Sequence, residues 1–375
     1  MDHPSLHRRQ SYNNLQTDTS ANARLRGNAD WRHHSAYGFP STLTPGEPNR
    51  AAYFHSNWNL YGGDWAQTTQ GALIAVSTLN EGPHNRIHVL SGRMDGMGNF
   101  QDFTNVADGS SVFPQTKVEW DPSGVGFDGK LRLLSSSDCL RMWAFDTETN
   151  SLEALYPLIK KSKRVKYLPP ITSFDWCKID PRLAIASSID TMCSLWDLET
   201  QTLQTYLIAH DSEVYDCAFV ARSPHKFMSC GADGSVRLFD LRSLARSTIL
   251  FTTSGAPLLR VAPCPYNANI LATIASDSCE AYIIDIRSPR NPVQVLSGHS
   301  AAINTIKWAP PHLNRNYLAT GADDCQCLLW NVGSENPIIG AYTDESEVNN
   351  LMWSPEGTWL GAVSGKSLQG VKLGY

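Results

Sequence analysis

The sequence has no apolar run of the roughly 18 residues that a membrane-crossing helix needs, so helical spans are excluded. No apolar stretch stands between Met1 and Ser20, so no secretory signal is expected. Excess charge of either sign is small: 31 Lys and Arg stand against 36 Asp and Glu, a net charge of -5. The basic face that nucleic-acid binding usually demands is therefore not expected. No Gly-rich phosphate loop precedes a helical pattern, which argues against a nucleotide-dependent enzyme. The nine cysteines come without a secretory signal and are expected as reduced thiols in cytosol or nucleus. Cys193, Cys217 and Cys230 lie inside apolar strand patterns, where a thiol behaves as a small buried hydrophobe.

What the sequence does contain is a repeat. A six-residue frame recurs: a leading residue, two variable ones, an apolar one, any residue, then usually an aromatic. It reads LYGGDW at Leu60 to Trp65, QTKVEW at Gln115 to Trp120 and ITSFDW at Ile171 to Trp176. It continues as VYDCAF at Val214 to Phe219, LLRVAP at Leu258 to Pro263, INTIKW at Ile303 to Trp308 and VNNLMW at Val348 to Trp353. Successive frame ends are 55, 56, 43, 44, 45 and 45 residues apart. The last four intervals match the roughly 40–45 residues of a WD40 blade, and the two longer ones imply insertions.

A second element follows the frames at a regular distance: an apolar strand, a tight turn carrying Asp, then a strand with an aromatic six residues beyond that Asp. It pairs Asp190 with Trp196, Asp233 with Phe239 and Asp324 with Trp330, and one residue shorter Asp138 with Trp143. Eight of the eleven tryptophans occupy one of these two repeat positions, so the aromatics belong to the architecture. A four-stranded antiparallel blade cannot bury both faces alone, and stacking blades around an axis lets aromatics fill the gaps between them.

The expected fold is an all-β, seven-bladed WD40 β-propeller. His299, Thr320, Asp324 and Trp330 in blade 6 have the spacing of the WD40 hydrogen-bonded tetrad, and His210, Ser229 and Asp233 form a partial version in blade 4. These residues include the types of a hydrolase triad, but recurrence at the repeat period points to a blade-stiffening network. Residues 1–47 are polar, with little apolar content, and are expected to be a disordered tail before a propeller over 48–375. Blade 7 lacks an outer strand at the chain's end, and the segment near 50–55 has the pattern to supply it. That closure would remove an exposed edge.

ITSFDW, ASSIDTMCSLWDLET, LIAHDSEVYDCAF, GADGSVRLFDLR and DESEVNNLMW resemble one WD40 family. It comprises the plant regulators of anthocyanin and trichome formation, of the Transparent Testa Glabra type, with their animal and fungal counterparts. The likeness is strongest over about residues 170 to 353. It implies a scaffold without catalytic activity or cofactor. Plant members hold basic-helix-loop-helix and MYB transcription factors together, and animal members bind DYRK-type and homeodomain-interacting kinases. Animal relatives are also counted among substrate receptors of cullin-RING ubiquitin ligases. Those receptors carry an Asp-x-Arg box after the third strand of consecutive blades, here Asp240-Leu241-Arg242 and Asp285-Ile286-Arg287.

Three further features are candidates for contact with partners. The second and third frame residues should ring the channel mouth: Tyr61, Lys117, Thr172, Tyr215, Asp216, Arg260, Asn304, Asn349 and Asn350. That polar set suits a peptide, unless Asp216 and Arg260 simply pair with each other. Lys160, Lys161, Lys163, Arg164 and Lys166 form a basic run that fits either an import signal or a solvated loop. Cys325 and Cys327 lack the second pair a metal site requires, so no metal is expected. The sequence thus predicts a monomeric ring in nucleus and cytoplasm that binds proteins. Its runner-up function is a ligase receptor, and nucleic-acid binding ranks behind both.

Overall fold

The computed structural model describes residues 51–374 apart from 69–70, 127, 160–168, 245 and 314–315. The polar segment 1–47 and the basic residues Lys160, Lys161, Lys163, Arg164 and Lys166 lie outside the described residues. The chain is a seven-bladed β-propeller, each blade a four-stranded antiparallel sheet. Helical structure among the described residues is one 3-10 turn at Pro311–Leu313.

Six of the seven sequence frames coincide with the first strand of a blade: Leu60–Trp65, Ile171–Trp176, Val214–Phe219, Leu258–Pro263, Ile303–Trp308 and Val348–Trp353. Blade 2 departs from the frame, since its first strand runs Lys117–Val125 and bulges after Trp120. The seven first strands touch one another in a closed cycle and so line the axis. In the six regular blades the ladder with the second strand shifts register at the second or third frame residue, for instance between Val214 and Asp216. Such a bulge re-aims side chains that simple alternation would place on one face.

Blade 7 takes its outer strand from the start of the described chain. Ala51–His55 pairs antiparallel with Ser367–Lys372, with Ala52 opposite Gly370 and Phe54 opposite Leu368. The hydrophobic clusters sit between blades. Trp65, Phe100, Phe103 and Trp359 pack between blades 7 and 1, and Trp120, Trp143 and Phe145 between blades 1 and 2. Burying a side chain of this size is worth about 1.5–3 kcal/mol. Gly231 is required where it stands, because a Cβ there would strike the Glu213 backbone carbonyl oxygen.

Antiparallel order sorts the loops between two ends. Loops between blades, and turns between second and third strands, lie where each first strand begins, called here the upper face. The other loops form the lower face.

Candidate functional site

At the upper mouth of the channel the nine frame residues do not form one uniform ring. Arg260 in blade 5 reaches across the channel to blade 1, where its Nη2 donates to the Tyr61 hydroxyl at 3.1 Å. Its Nη1 donates to the Leu259 carbonyl at 3.0 Å. The alternative, a direct pair between Arg260 and Asp216, is not formed; Arg260 makes this bridge instead. Asp216 is buried and does not face the opening, which corrects its placement at the mouth. Its Oδ1 accepts the Cys217 N–H at 3.0 Å and its Oδ2 the Val261 N–H of blade 5 at 3.1 Å.

Lys117 is also turned inward. Its Nζ lies 2.9 Å from Glu119 and donates to the Phe174 carbonyl of blade 3. Burial works against its charge, but Glu119, Asp216 and Asp175 outweigh burial and keep it protonated. The Thr172 hydroxyl donates to the Val214 carbonyl at 2.6 Å. The Asn304 amide donates to Asp323 at 2.6 Å, and the Asn350 side chain accepts the Leu351 N–H at 2.8 Å. Tyr215 and Asn349 are half-buried, with no side-chain hydrogen bond among the described residues. What the mouth displays is therefore Tyr61, Arg260, Tyr215 and the asparagines.

Deeper in the channel lies a set that the frame analysis passed over. A first strand has its inner edge toward the axis, and the N–H groups there have no fifth strand to bond. Carboxylates of the preceding blade satisfy them. Asp64 accepts the Trp120 N–H at 2.8 Å, Glu119 the Trp176 N–H at 2.9 Å and Asp175 the Phe219 N–H at 2.7 Å. With Asp216 on Val261, four successive blade junctions are stitched this way. Burial, reinforced by Glu119, raises both Asp64 and Asp175 to about 6. The signal in the sequence was an acidic fifth frame residue in three consecutive frames.

The two histidine networks link strands and turns of their own blades. His299 Nε2 lies 2.7 Å from the Thr320 hydroxyl, its Nδ1 is 3.1 Å from Asp324, and Trp330 Nε1 donates to Thr320 at 2.8 Å. In blade 4, His210 lies 2.7 Å from Ser229 and 2.9 Å from Asp233. Phe239, which has no indole donor, instead stacks on Phe227 with centroids 4.8 Å apart. Burial pushes His210 below its ordinary pKa against the pull of Asp233, favouring the neutral ring. A third pair was not foreseen: His88 Nδ1 lies 2.5 Å from Asp108, and its Nε2 is 3.4 Å from the Ser56 hydroxyl. That hydroxyl already accepts the Trp58 N–H at 3.0 Å, so the contact ties the blade 7 to blade 1 junction.

On the lower face, Asp240 and Asp285 end the third strands of blades 4 and 5. Arg242 grips Asp240 through Nε at 2.9 Å and Nη2 at 2.6 Å, and Arg287 grips Asp285 through Nε at 2.9 Å and Nη2 at 2.5 Å. The arginine side chains are 64% and 68% exposed, so each guanidinium is held in place with its other edge toward solvent. Arg287 holds the Asp285 carboxyl down at about 2. Arg182 grips Asp180 in the same way in a lower loop of blade 3. Cys325 and Cys327 are divided by the turn: Cys325 has a left-handed backbone with φ 61°, while Cys327 is buried. No group of three or more metal-ligating side chains occurs among the described residues.

Comparison with known proteins places this geometry. The family model "WD domain, G-beta repeat" matches residues 200–240 and 290–331, the two stretches that contain the His210 and His299 networks. A WD repeat-containing protein of Saccharomyces cerevisiae is 33% identical over 411 residues, covering 85% of this chain and 76% of its own length. A WD repeat-containing protein of Schizosaccharomyces pombe is 33% identical, covering 90% of this chain and 94% of its own length. The DDB1- and CUL4-associated factor 7 homolog of Dictyostelium discoideum is 36% identical over 335 residues, covering 87% of this chain and all of its own.

Proposed function

The chain belongs to the WD40 repeat family, and from that premise we propose that it is a non-enzymatic platform that holds proteins together. Its lower face docks on the adaptor of a cullin-RING ubiquitin ligase and its upper face receives a client. The observation that carries the docking is the matched pair of exposed guanidiniums, Arg242 and Arg287, at the same end of adjacent blades. Each is fixed by its own Asp and keeps free N–H donors. An arginine immobilised before contact loses less side-chain freedom on binding than a mobile one. A relative named as a DDB1- and CUL4-associated factor, aligned over its full length, supports the same reading.

Clients are proposed from the family resemblance: DYRK-type kinases and transcription factors, held close so that each raises the other's effective concentration. Action in both nucleus and cytoplasm, with the run from Lys160 to Lys166 as import signal, is part of the proposal. A fluorescent reporter fused to residues 156–170 tests the import signal, and a diffuse reporter removes it.

The deciding experiment is affinity purification of the full chain from its native cells, with partners identified by mass spectrometry. Stoichiometric recovery of the cullin-ligase adaptor, lost in an Arg242→Ala, Arg287→Ala double variant, is the expected result. Wild-type recovery by that variant would make both boxes structural. Kinases or transcription factors recovered without the adaptor would leave the platform and remove the ligase.

A further inference from the structure

Arg260 stands at the channel mouth without a direct ion pair among the described residues. Its guanidinium is half-buried, yet both of its hydrogen bonds go to neutral oxygens, the Leu259 carbonyl and the Tyr61 hydroxyl. It forms no ion pair with any described carboxylate, whereas Arg237, Arg242 and Arg287 each do. Asp216, the carboxylate in the neighbouring first strand, has both oxygens engaged by backbone N–H groups. Buried charges in folded proteins are normally paired, because withdrawing a charge from water is costly unless a counter-charge replaces the lost hydration. A guanidinium has five donors, and these two bonds leave three without a partner among the described residues. Asp216 acts on the guanidinium at longer range without a direct contact, and the other mouth residues Tyr215, Asn304, Asn349 and Asn350 offer hydroxyl and amide groups but no anion.

We propose that the mouth is a receptor for an oxyanion carried on a protein segment. Arg260 is the charge partner, and the Tyr61 hydroxyl holds the guanidinium in place until the ligand arrives. The surrounding upper loops narrow the ligand further. Asp211, Glu213, Asp277, Asp323, Glu345 and Glu347 are all exposed there. A purely acidic segment approaching over blades 4 to 7 would be repelled by those carboxylates, so the segment carries one acidic or phosphorylated side chain, with Lys or Arg on the flank that crosses them. The carboxylates attract that flank, and the oxyanion passes inside them to Arg260. The bound oxyanion takes the Nη2 edge now held by Tyr61, a charge-assisted contact stronger than the neutral one it displaces. This deepens the platform reading and rests on it in taking the ligand to be part of a client protein.

The test uses the full chain and short fluorescein-labelled peptides with Lys-Gly flanks and Glu, phosphoserine or Gln at the centre, read by fluorescence anisotropy. The Glu or phosphoserine peptide is expected to bind at least about tenfold tighter than the Gln peptide. Preference between those two assigns the oxyanion as carboxylate or phosphate. Arg260→Gln should abolish the preference. Tyr61→Phe, which removes a single hydroxyl and should leave the ring intact, should tighten binding by freeing the guanidinium. Equal affinity for all three peptides overturns the proposal, as does indifference to Arg260→Gln or to Tyr61→Phe, or no binding up to about 1 mM. Adaptor recovery through Arg242 and Arg287 is a separate readout, so peptide failure with the adaptor still bound sinks this inference alone.

Discussion

Replacing Asp64 by Asn separates two things that its carboxylate does at once. It accepts the Trp120 N–H at 2.8 Å, and it carries a negative charge in a position withdrawn from water. Burial first, and Glu119 second, lift it from the ordinary 3.8 to about 6. A displacement of that size corresponds to about 3 kcal/mol of preference for the protonated form in the folded state. The sign follows from linkage. A folded-state pKa above the unfolded one contributes stability that is fully present below about pH 4 and is lost as pH rises through 6. Near neutrality the folded wild type therefore bears most of that cost.

Asn keeps an oxygen for the Trp120 N–H and removes the charge, although its amide N–H groups need an acceptor in return. Asp64→Asn is expected to stabilise the ring by about 1–3 kcal/mol near neutral pH, raising the melting temperature by roughly 2–5 °C. Asp64→Ala orphans the Trp120 N–H and should cost about 1–3 kcal/mol at every pH. Thermal melts of the three proteins at about pH 7.5 and about pH 4.5 decide the matter, since the gain of Asn over Asp should vanish once Asp64 is protonated. An Asn variant that melts as low as the Ala variant near neutrality would refute the reasoning. Lys307 and Lys178 would then be neutralising Asp64 well enough that its charge is an asset.

Three other outcomes are expected. Trp330→Phe removes the Nε1 bond to Thr320 and leaves a void where the fully buried indole stood, so denaturant titration should show a loss of about 2–4 kcal/mol. Asp233 has the opposite sign to Asp64: Ser235 and His210 overcome burial and hold it at about 2. Its contribution is therefore present above about pH 4 and lost as pH falls toward 2, and Asp233→Asn should flatten the acid side of the stability profile. Deleting the chain through His55 strips Ser367–Lys372 of its partner. Light scattering after size exclusion should then show self-association through the bared edge.

The repeat was readable because a blade is a local object. Its strands are consecutive, its turns are short, and the aromatic that closes six of the seven frames marks nearly every pass. Gln115 broke the frame because blade 2 begins its strand at Lys117, and nothing in QTKVEW itself signals the change. The channel was less legible for two different reasons. Bulges near the third frame residue re-aim side chains, so Asp216, expected at the mouth from its place in the frame, is buried. The partnership of Arg260 with Tyr61 spans 199 residues and depends on the width of the ring, a quantity no local pattern contains. The carboxylates at Asp64, Glu119 and Asp175 were visible as letters. Their purpose follows only once seven edge strands are known to face one axis.

The outer strand of blade 7 has a consequence in time as well as in space. Tyr53 leaves the ribosome early, yet its hydroxyl is bonded by Gln369, 316 residues later. At about 5–20 residues per second, that interval is on the order of 15–60 s of synthesis. Throughout it the earliest described strand has nothing to pair with, while the blades behind it can form one after another. The nascent chain is thus an open arc with a loose first strand until Ser367–Lys372 emerges and turns it into a ring. A translational pause or a truncation near Ser367 would release a nearly complete arc with blade 7 unfinished, a species for chaperones to hold and proteases to find.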